Sequence, residues 1–289
     1  MIEAAIFTII TAATPLLLAA LGELVVERSG TLNLGVEGMM VMGAVAGFGA
    51  AHISGSLIIG VLFAILAGMA MAGLFGILTL SFRANQVATG LALTLLGLGL
   101  SGLIGENFIG MPGARLPKFF GIDALILASI LLFVAVHWFL FHTRAGLILR
   151  AVGDNHTSAH ALGYSVMKVR YMAVLFGGAM AGLAGAYLSL AYTPSWVENM
   201  TAGRGWIALA LVVFASWLPS RLMMGAYLFG TITILGFVAQ AIGLGIPPQL
   251  LASLPYLVTI IALVVISGNR FIMRANTPAM LGQPFVPDR

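Results

Sequence analysis

The sequence predicts an all-α, polytopic membrane protein: a single bundle of about nine transmembrane helices over residues 1–289, with no separate soluble domain. Three observations lead there. Of 289 residues, 61% are hydrophobic and only 8% charged, where soluble domains average about 25% charged. Mean hydropathy is +1.09. Apolar runs recur along the whole chain, most of them at the roughly 17–25 residues that cross about 30 Å of hydrocarbon.

Taken in order, the first run is Ala4–Gly22, with Pro15 inside it. Glu23–Met42 follows, a polar interruption holding Glu23, Glu27, Arg28, Asn33 and Glu37 and punctuated by Gly30, Gly35 and Gly38. Glycines at that density predict a broken helix, the device by which membrane transporters present polar groups at depth. Its apolar continuation is Gly38–Ala51. Leu57–Leu80, Val87–Gly105, Ala124–Phe141 and Tyr171–Ala191 are further spans, Trp206–Leu218 is a short one, and Met223–Leu244 and Leu250–Ser267 complete nine. Small residues four apart (Gly68 and Ala72, Gly97 and Ser101, Gly178 and Gly182) predict close helix packing.

Alternating sides through nine spans places ten bases on one side: Arg28, Arg83, Arg144, Arg150, Lys168, Arg170, Arg221, Arg270, Arg274 and Arg289. Arg115, Lys118 and Arg204 fall on the other. The positive-inside bias makes the first side cytoplasmic, with the N-terminus outside and the C-terminus inside. Glu23 and Glu27 then sit at the cytoplasmic face with no need of burial, leaving Asn33 and Glu37 deeper. Trp196 and Trp206 suit an interfacial aromatic belt.

Composition also narrows the chemistry. The absence of Cys removes disulfides and thiolate metal sites. No basic patch interleaves with aromatics, so a nucleic-acid partner has no support. His156 and His160 are spaced i, i+4 without a third ligand and read as a solvated pair. Membrane enzymes need clustered nucleophiles or ligands, and channels need charge rings; neither is present in the pattern. A secondary transporter driven by an ion gradient is the alternative from another class, but its spans would carry ionisable coupling residues, and these are nearly bare. No Gly-rich phosphate loop with its Lys occurs, so any ATP and magnesium would be held by a partner.

Residues His142–Arg170 form a long polar connection. Within it, Arg150–Gly163 predicts one short amphipathic helix capped by Asp154 or Asn155, with Ala159 and Leu162 on one face, suited to docking a soluble partner. Polar residues inside or bordering spans include Asn33, Asn85, Gln86, Thr89, Thr94, Ser189, Tyr192, Thr231, Thr233 and Gln240. Asn33, Glu37, Asn85, Gln86 and Thr89 are the candidate substrate-pathway residues. Asn85 reads equally as a helix cap, and Asn33 with Glu37 as a network that holds the broken helix.

Three motifs carry a resemblance. Gly30–Met40 (GTLNLGVEGMM), preceded by Glu27-Arg28-Ser29, resembles the signature of ABC-importer permeases of the branched-chain amino acid, ribose and simple-sugar group. It is most similar to the second permease subunit of nucleoside (BMP-type) importers. Leu149–Asn155 with Ala161-Leu162-Gly163 resembles the group's cytoplasmic coupling loop, and Gly203–Ala210 its second-half signature. His156-Thr157 departs from the group, which usually has Pro and an acidic residue there. The resemblance implies a bacterial inner-membrane subunit that passes nucleosides or related sugars. It implies a paralogous permease or a second copy of this chain, cytoplasmic ABC ATPases, and an extracytoplasmic binding protein or lipoprotein. A coupling loop at 143–170 would use Arg150, Gly153, Asp154, Asn155, Ala159 and Gly163.

Overall fold

A computed structural model describes residues 2–113, 118–119, 122–243, 245–267 and 276–286. Arg115, Arg270, Arg274 and Arg289, four of the bases that set the expected orientation, lie outside the described residues. Eleven α-helices follow in chain order: α1 Ile2–Arg28, α2 Val36–Ser54, α3 Leu57–Gly76, α4 Gln86–Gly105, α5 Ala124–His142, α6 Arg144–Asp154, α7 His156–Ala161, α8 Val166–Tyr187, α9 Arg204–Phe214, α10 Pro219–Ala241 and α11 Pro248–Ser267. Among the described residues the only sheet is a two-residue antiparallel ladder, Lys118–Phe119 with Ile122–Asp123. Each of the nine apolar runs is helical. Among the described residues, seven helices are long and apolar enough to cross a membrane, α3 and α8 being prolonged by single π turns at Ile77–Ser81 and Leu188–Tyr192.

The interior is built on α8, which packs against α1, α2 and α3. Its small residues allow the backbones to touch. A Cβ on Gly43 of α2 would run into the Gly182 backbone, and one on Gly68 of α3 into the Gly178 carbonyl. Gly38 of α2 meets Gly97 of α4 in the same way. Because lipid supplies no hydrophobic drive between helices, close van der Waals contact is the main source of cohesion here. Helices α1, α2 and α8 are mostly buried, while α3, α4 and α5 turn apolar faces outward, as a lipid-facing ring requires.

Two irregular segments penetrate the bundle. After α1, Ser29–Gly35 runs alongside α4. The Leu32 N–H donates to Gln86 Oε1 at the start of α4, and Thr94 Oγ1, about two turns further along, donates to the Leu34 carbonyl. Helix α2 thus begins half-way along α4. From the opposite end, the segment after α8 descends past the end of α4. Trp196 packs on Gly105, Glu198 lies beside Gly102, and Gly205 abuts Glu37 at the start of α2. Irregular backbone at such depth is tolerated only against protein or a water-lined cavity.

The seventh expected span is therefore corrected. Helix α9 has 11 residues, about 16 Å at ~1.5 Å per residue, and cannot cross alone. The segment after α8 and this half-length helix lie where a single span was expected. Trp196 is also corrected: it is 1% exposed and packed inside the protein, not in an aromatic belt. Glu23 and Glu27, expected to be open to water, are buried, because the Ser29–Gly35 segment covers one and Trp217 the other.

Gly182→Leu should prevent α2, α3 and α8 from closing, at a cost above the ~1–3 kcal/mol of ordinary overpacking. The check is thermal stability in detergent. Gly99→Leu, where a Cβ meets nothing within 4 Å, should behave as the parent chain does.

Candidate functional site

The polar junction at half depth is organised by Glu37. Its Oε1 accepts from Thr201 Oγ1 at 2.6 Å and from the Gly203 N–H at 2.8 Å, while Oε2 accepts from the Gly205 N–H. Gly203 is the N-cap of α9 and adopts a left-handed φ of +81°. Glu37 itself lies in the first turn of α2. One carboxylate thus serves two helix N-termini, whose unsatisfied N–H groups and positive dipole ends favour an anion. The residue is 2% exposed.

At the basic end, two buried arginines staple loops to helices. Arg28 donates from Nε and Nη2 to the Trp217 carbonyl at 3.0 and 2.8 Å, and from Nη1 to the Asn276 carbonyl. Arg170 donates to the Ser29 carbonyl and to that of Gln283, and its Nη2 lies 3.2 Å from His156 Nδ1. Glu27 accepts from Trp217 Nε1 at 2.6 Å. Glu23 accepts from the Asn33 N–H at 3.2 Å, and its other carboxylate oxygen is buried without a partner.

Asn33 and Glu37 do not share a helical turn. Asn33 stands in the irregular segment, where its Oδ1 accepts from the Gly35 N–H, and Glu37 points to α9. Asn85 caps α4, accepting from the Ala88 N–H at 3.0 Å. Gln86 is buried and holds Leu32, with its Nε2 left unpartnered. Thr89 follows one turn on, half-buried. Asn85 and Gln86 border a cavity of about 280 Å³ at the basic end, shared with Arg83, Gly282 and Pro284.

None of the five lines a second cavity, which reaches Tyr192 at the end of α8 away from Arg170. That cavity, about 300 Å³, lies between α1, α9, α10 and α11, and its lining includes Tyr192, Arg204, Thr233, Gln240 and Tyr256. The Arg204 guanidinium sits over the Tyr192 ring at 5.7 Å and donates to the Met200 and Thr201 carbonyls. Tyr192, Thr233 and Gln240 are among the polar span residues of the sequence, but nothing in the pattern brings them together with Arg204 and Tyr256. A further hollow, about 460 Å³, is an apolar groove between α1, α5, α6 and α8 whose single charged lining residue is Lys168. It offers few partners to a polar solute.

The expected coupling helix is two helices. Thr143 caps α6 and Asn155 caps α7, accepting from Gly146 and Ser158 N–H groups respectively. Gly163 ends α7 at φ +88°. Ala159 and Leu162 do not share a face: Ala159 is 3% exposed and Leu162 is 77% exposed. Gly153 is buried against Arg28 and Gly30. Arg150 sits over the Phe141 ring at 5.0 Å. Asp154, Asn155 and Gly163 are open to solvent. His160 is exposed and His156 half-buried, and both rings pack edge-on against Phe285 at 5.2 and 5.3 Å.

The helical bundle is that of a multi-pass membrane protein, and its relatives identify it as a transport component of the permease class. The chain belongs to the family described as the branched-chain amino acid transport system permease component, whose profile matches residues 5–267. It is 40% identical to a Haloferax volcanii permease provisionally assigned to a glucose ABC transporter, over 96% of this chain and 95% of that one. It is 32% identical to a guanosine ABC transporter permease of Bacillus subtilis, over 95% and 93%. A nucleoside ABC transporter permease of Lactococcus lactis is 31% identical, over 91% and 92%.

Glu37→Ala should strand three buried donors at about 1–3 kcal/mol each, giving a large loss of folded protein in a detergent melting assay. Glu37→Gln should lower the yield of folded protein more than it alters substrate selectivity; a stable variant with changed selectivity would place Glu37 on the substrate. Burial, then the adjacent Arg170 guanidinium, holds the His156 ring below its usual value of 6.5. A lowered folded pKa gives stability that is present above the unfolded value and lost as pH falls through the folded one. Hydrogen exchange at residues 280–285 should therefore accelerate as pH drops from about 7 to 5, beyond the intrinsic pH effect.

Proposed function

We propose that this permease forms half of the translocation pathway of an ATP-driven importer for neutral, ring-bearing, hydroxylated solutes: nucleosides or simple sugars. The cavity walled by Tyr192, Arg204, Thr233, Gln240 and Tyr256 carries the reading. Two phenol rings offer a stacking face, and an amide, a hydroxyl and a guanidinium offer hydrogen bonds, which is the provision a nucleoside or sugar requires. The adjoining helix N-termini, elsewhere a site for a substrate carboxylate, are already neutralised by Glu37. An amino acid carboxylate therefore finds no vacant helix end there. The names of the relatives, guanosine, nucleoside and glucose permeases, agree with this choice.

A second permease subunit belongs beside this one. Val197, Glu198, Asn199 and Ala202 are exposed on the segment that descends to half depth, and such backbone needs protein or water against it, not lipid. Bacillus subtilis has two permeases named for guanosine, of which this chain matches one at 32% and the other at 27% identity. Two Haloferax volcanii glucose permeases match at 40% and 25%. Such pairs favour a paralogous partner over a second copy. Cytoplasmic ATPases would supply ATP and magnesium and dock on α6 and α7, where exposed Leu162 and Tyr164 offer apolar contact. A binding protein or lipoprotein would deliver cargo from outside. The setting is the cytoplasmic membrane, with the basic end inward and the N-terminus outward.

In proteoliposomes holding the complete complex, nucleoside or sugar uptake should require internal ATP and resist a protonophore. Tyr256→Ala should raise KM at least roughly fivefold, the equivalent of about 1 kcal/mol of stacking. Uptake driven by a proton or sodium gradient without ATP would restore the secondary-transporter alternative. Competition by leucine as strong as that by the cargo would overturn the cargo class.

A further inference from the structure

Residues 276–286 return to the basic end and lie across it. The Gly282 N–H donates to the Gly30 carbonyl in the broken segment at 3.1 Å, and the Met280 N–H donates to the Gly153 carbonyl at the end of α6 at 2.9 Å. Arg28 and Arg170 hold the carbonyls of Asn276 and Gln283. Phe285, 7% exposed, plugs the underside of α7, closing a small apolar cluster with Val152, Ala159 and Val166. The rings of His156 and His160 grip it from one side. Helix α7 has six residues and an exposed outer face, and Phe285 joins α6 and α8 in packing against its inner side. A helix shorter than two turns is marginal alone, and its place depends on what it packs against.

We infer that this strap is a positioning element for transport. It joins the ATPase-docking helix α7 to the Ser29–Gly35 segment, so that a push on α7 is delivered to the start of α2 and not dissipated in a loose loop. Phe285 is its anchor. Strap and α7 move as one body, and a covalent link between them would preserve function, whereas a latch would have to release. The inference rests on the ATP-driven reading above, since α7 transmits nothing unless an ATPase bears on it.

The experiment uses the whole importer in proteoliposomes and measures cargo taken up per ATP hydrolysed. The chain has no Cys, so introduced thiols are unique to it. Phe285→Cys/His160→Cys should lose at least tenfold in uptake while ATP hydrolysis stays within twofold of the parent. Bridging the two thiols with a short bifunctional thiosulfonate should restore at least half of the parental ratio. Uptake unaffected by the substitutions, or no recovery on bridging, overturns the strap. If the double variant fails to assemble, Phe285→Ala, which removes the plug and leaves both histidines in place, is read by the same ratio: a tenfold loss supports the anchor, and a parental value counts against it. Parental complexes that import without ATP would refute the ATP-driven reading itself; ATP-dependent parents with a silent strap variant refute only this inference.

Discussion

The architecture depends on one buried carboxylate. Glu37 accepts three hydrogen bonds from a segment more than 160 residues away in sequence and in doing so joins the start of α2 to the start of α9. Both helices begin in the interior, where no water can satisfy their first N–H groups. Glu37 satisfies the first N–H groups of α9 from its place in the first turn of α2, where a carboxylate also suits that helix's positive end. The surrounding glycines follow from this. Gly205 has no room for a side chain against the Glu37 backbone, and Gly203 takes a backbone conformation that L side chains rarely adopt.

What the sequence revealed was what local physics encodes. Long apolar runs must be helices in lipid, because no other open structure satisfies its own backbone there, and all nine runs are helical. Asn85 was readable as a cap for the same local reason. Pairings across sequence distance were not readable. Nothing near Glu37 announces Thr201 or Gly205, and nothing near Glu27 announces Trp217. Burial of Glu23 and Glu27 was missed because a charge at the end of an apolar run ordinarily reaches water, and only the tertiary cover denies it that. Arg204 and Tyr256 escaped notice as cavity residues because one looks like a loop base and the other like an ordinary member of an apolar run. The reading of Arg150–Gly163 held at Asn155, whose side chain caps α7, and failed at Leu162, which is exposed where Ala159 is buried, and at Arg150, which belongs to the preceding helix α6.

The two buried arginines play the complementary part at the basic end. Each spends its planar fork on main-chain carbonyls, an arrangement lysine cannot reproduce with a single ammonium. Carbonyls left over where helices stop are thereby satisfied, and segments distant in sequence are gathered at one place. The charge that marks this end for topology also stitches it together.

Helix α8 with its π turn, Val166–Tyr192, is 27 residues of continuous coil, about 40 Å at ~1.5 Å per residue. One end carries Arg170, with its hold on Ser29 and Gln283; the other carries Tyr192, under the Arg204 guanidinium at the cavity. Glycines along its middle keep it in backbone contact with α2 and α3. Such a rod, gripped at its waist and tied at both tips, carries the loops of the basic end and a wall of the cavity on a single helix.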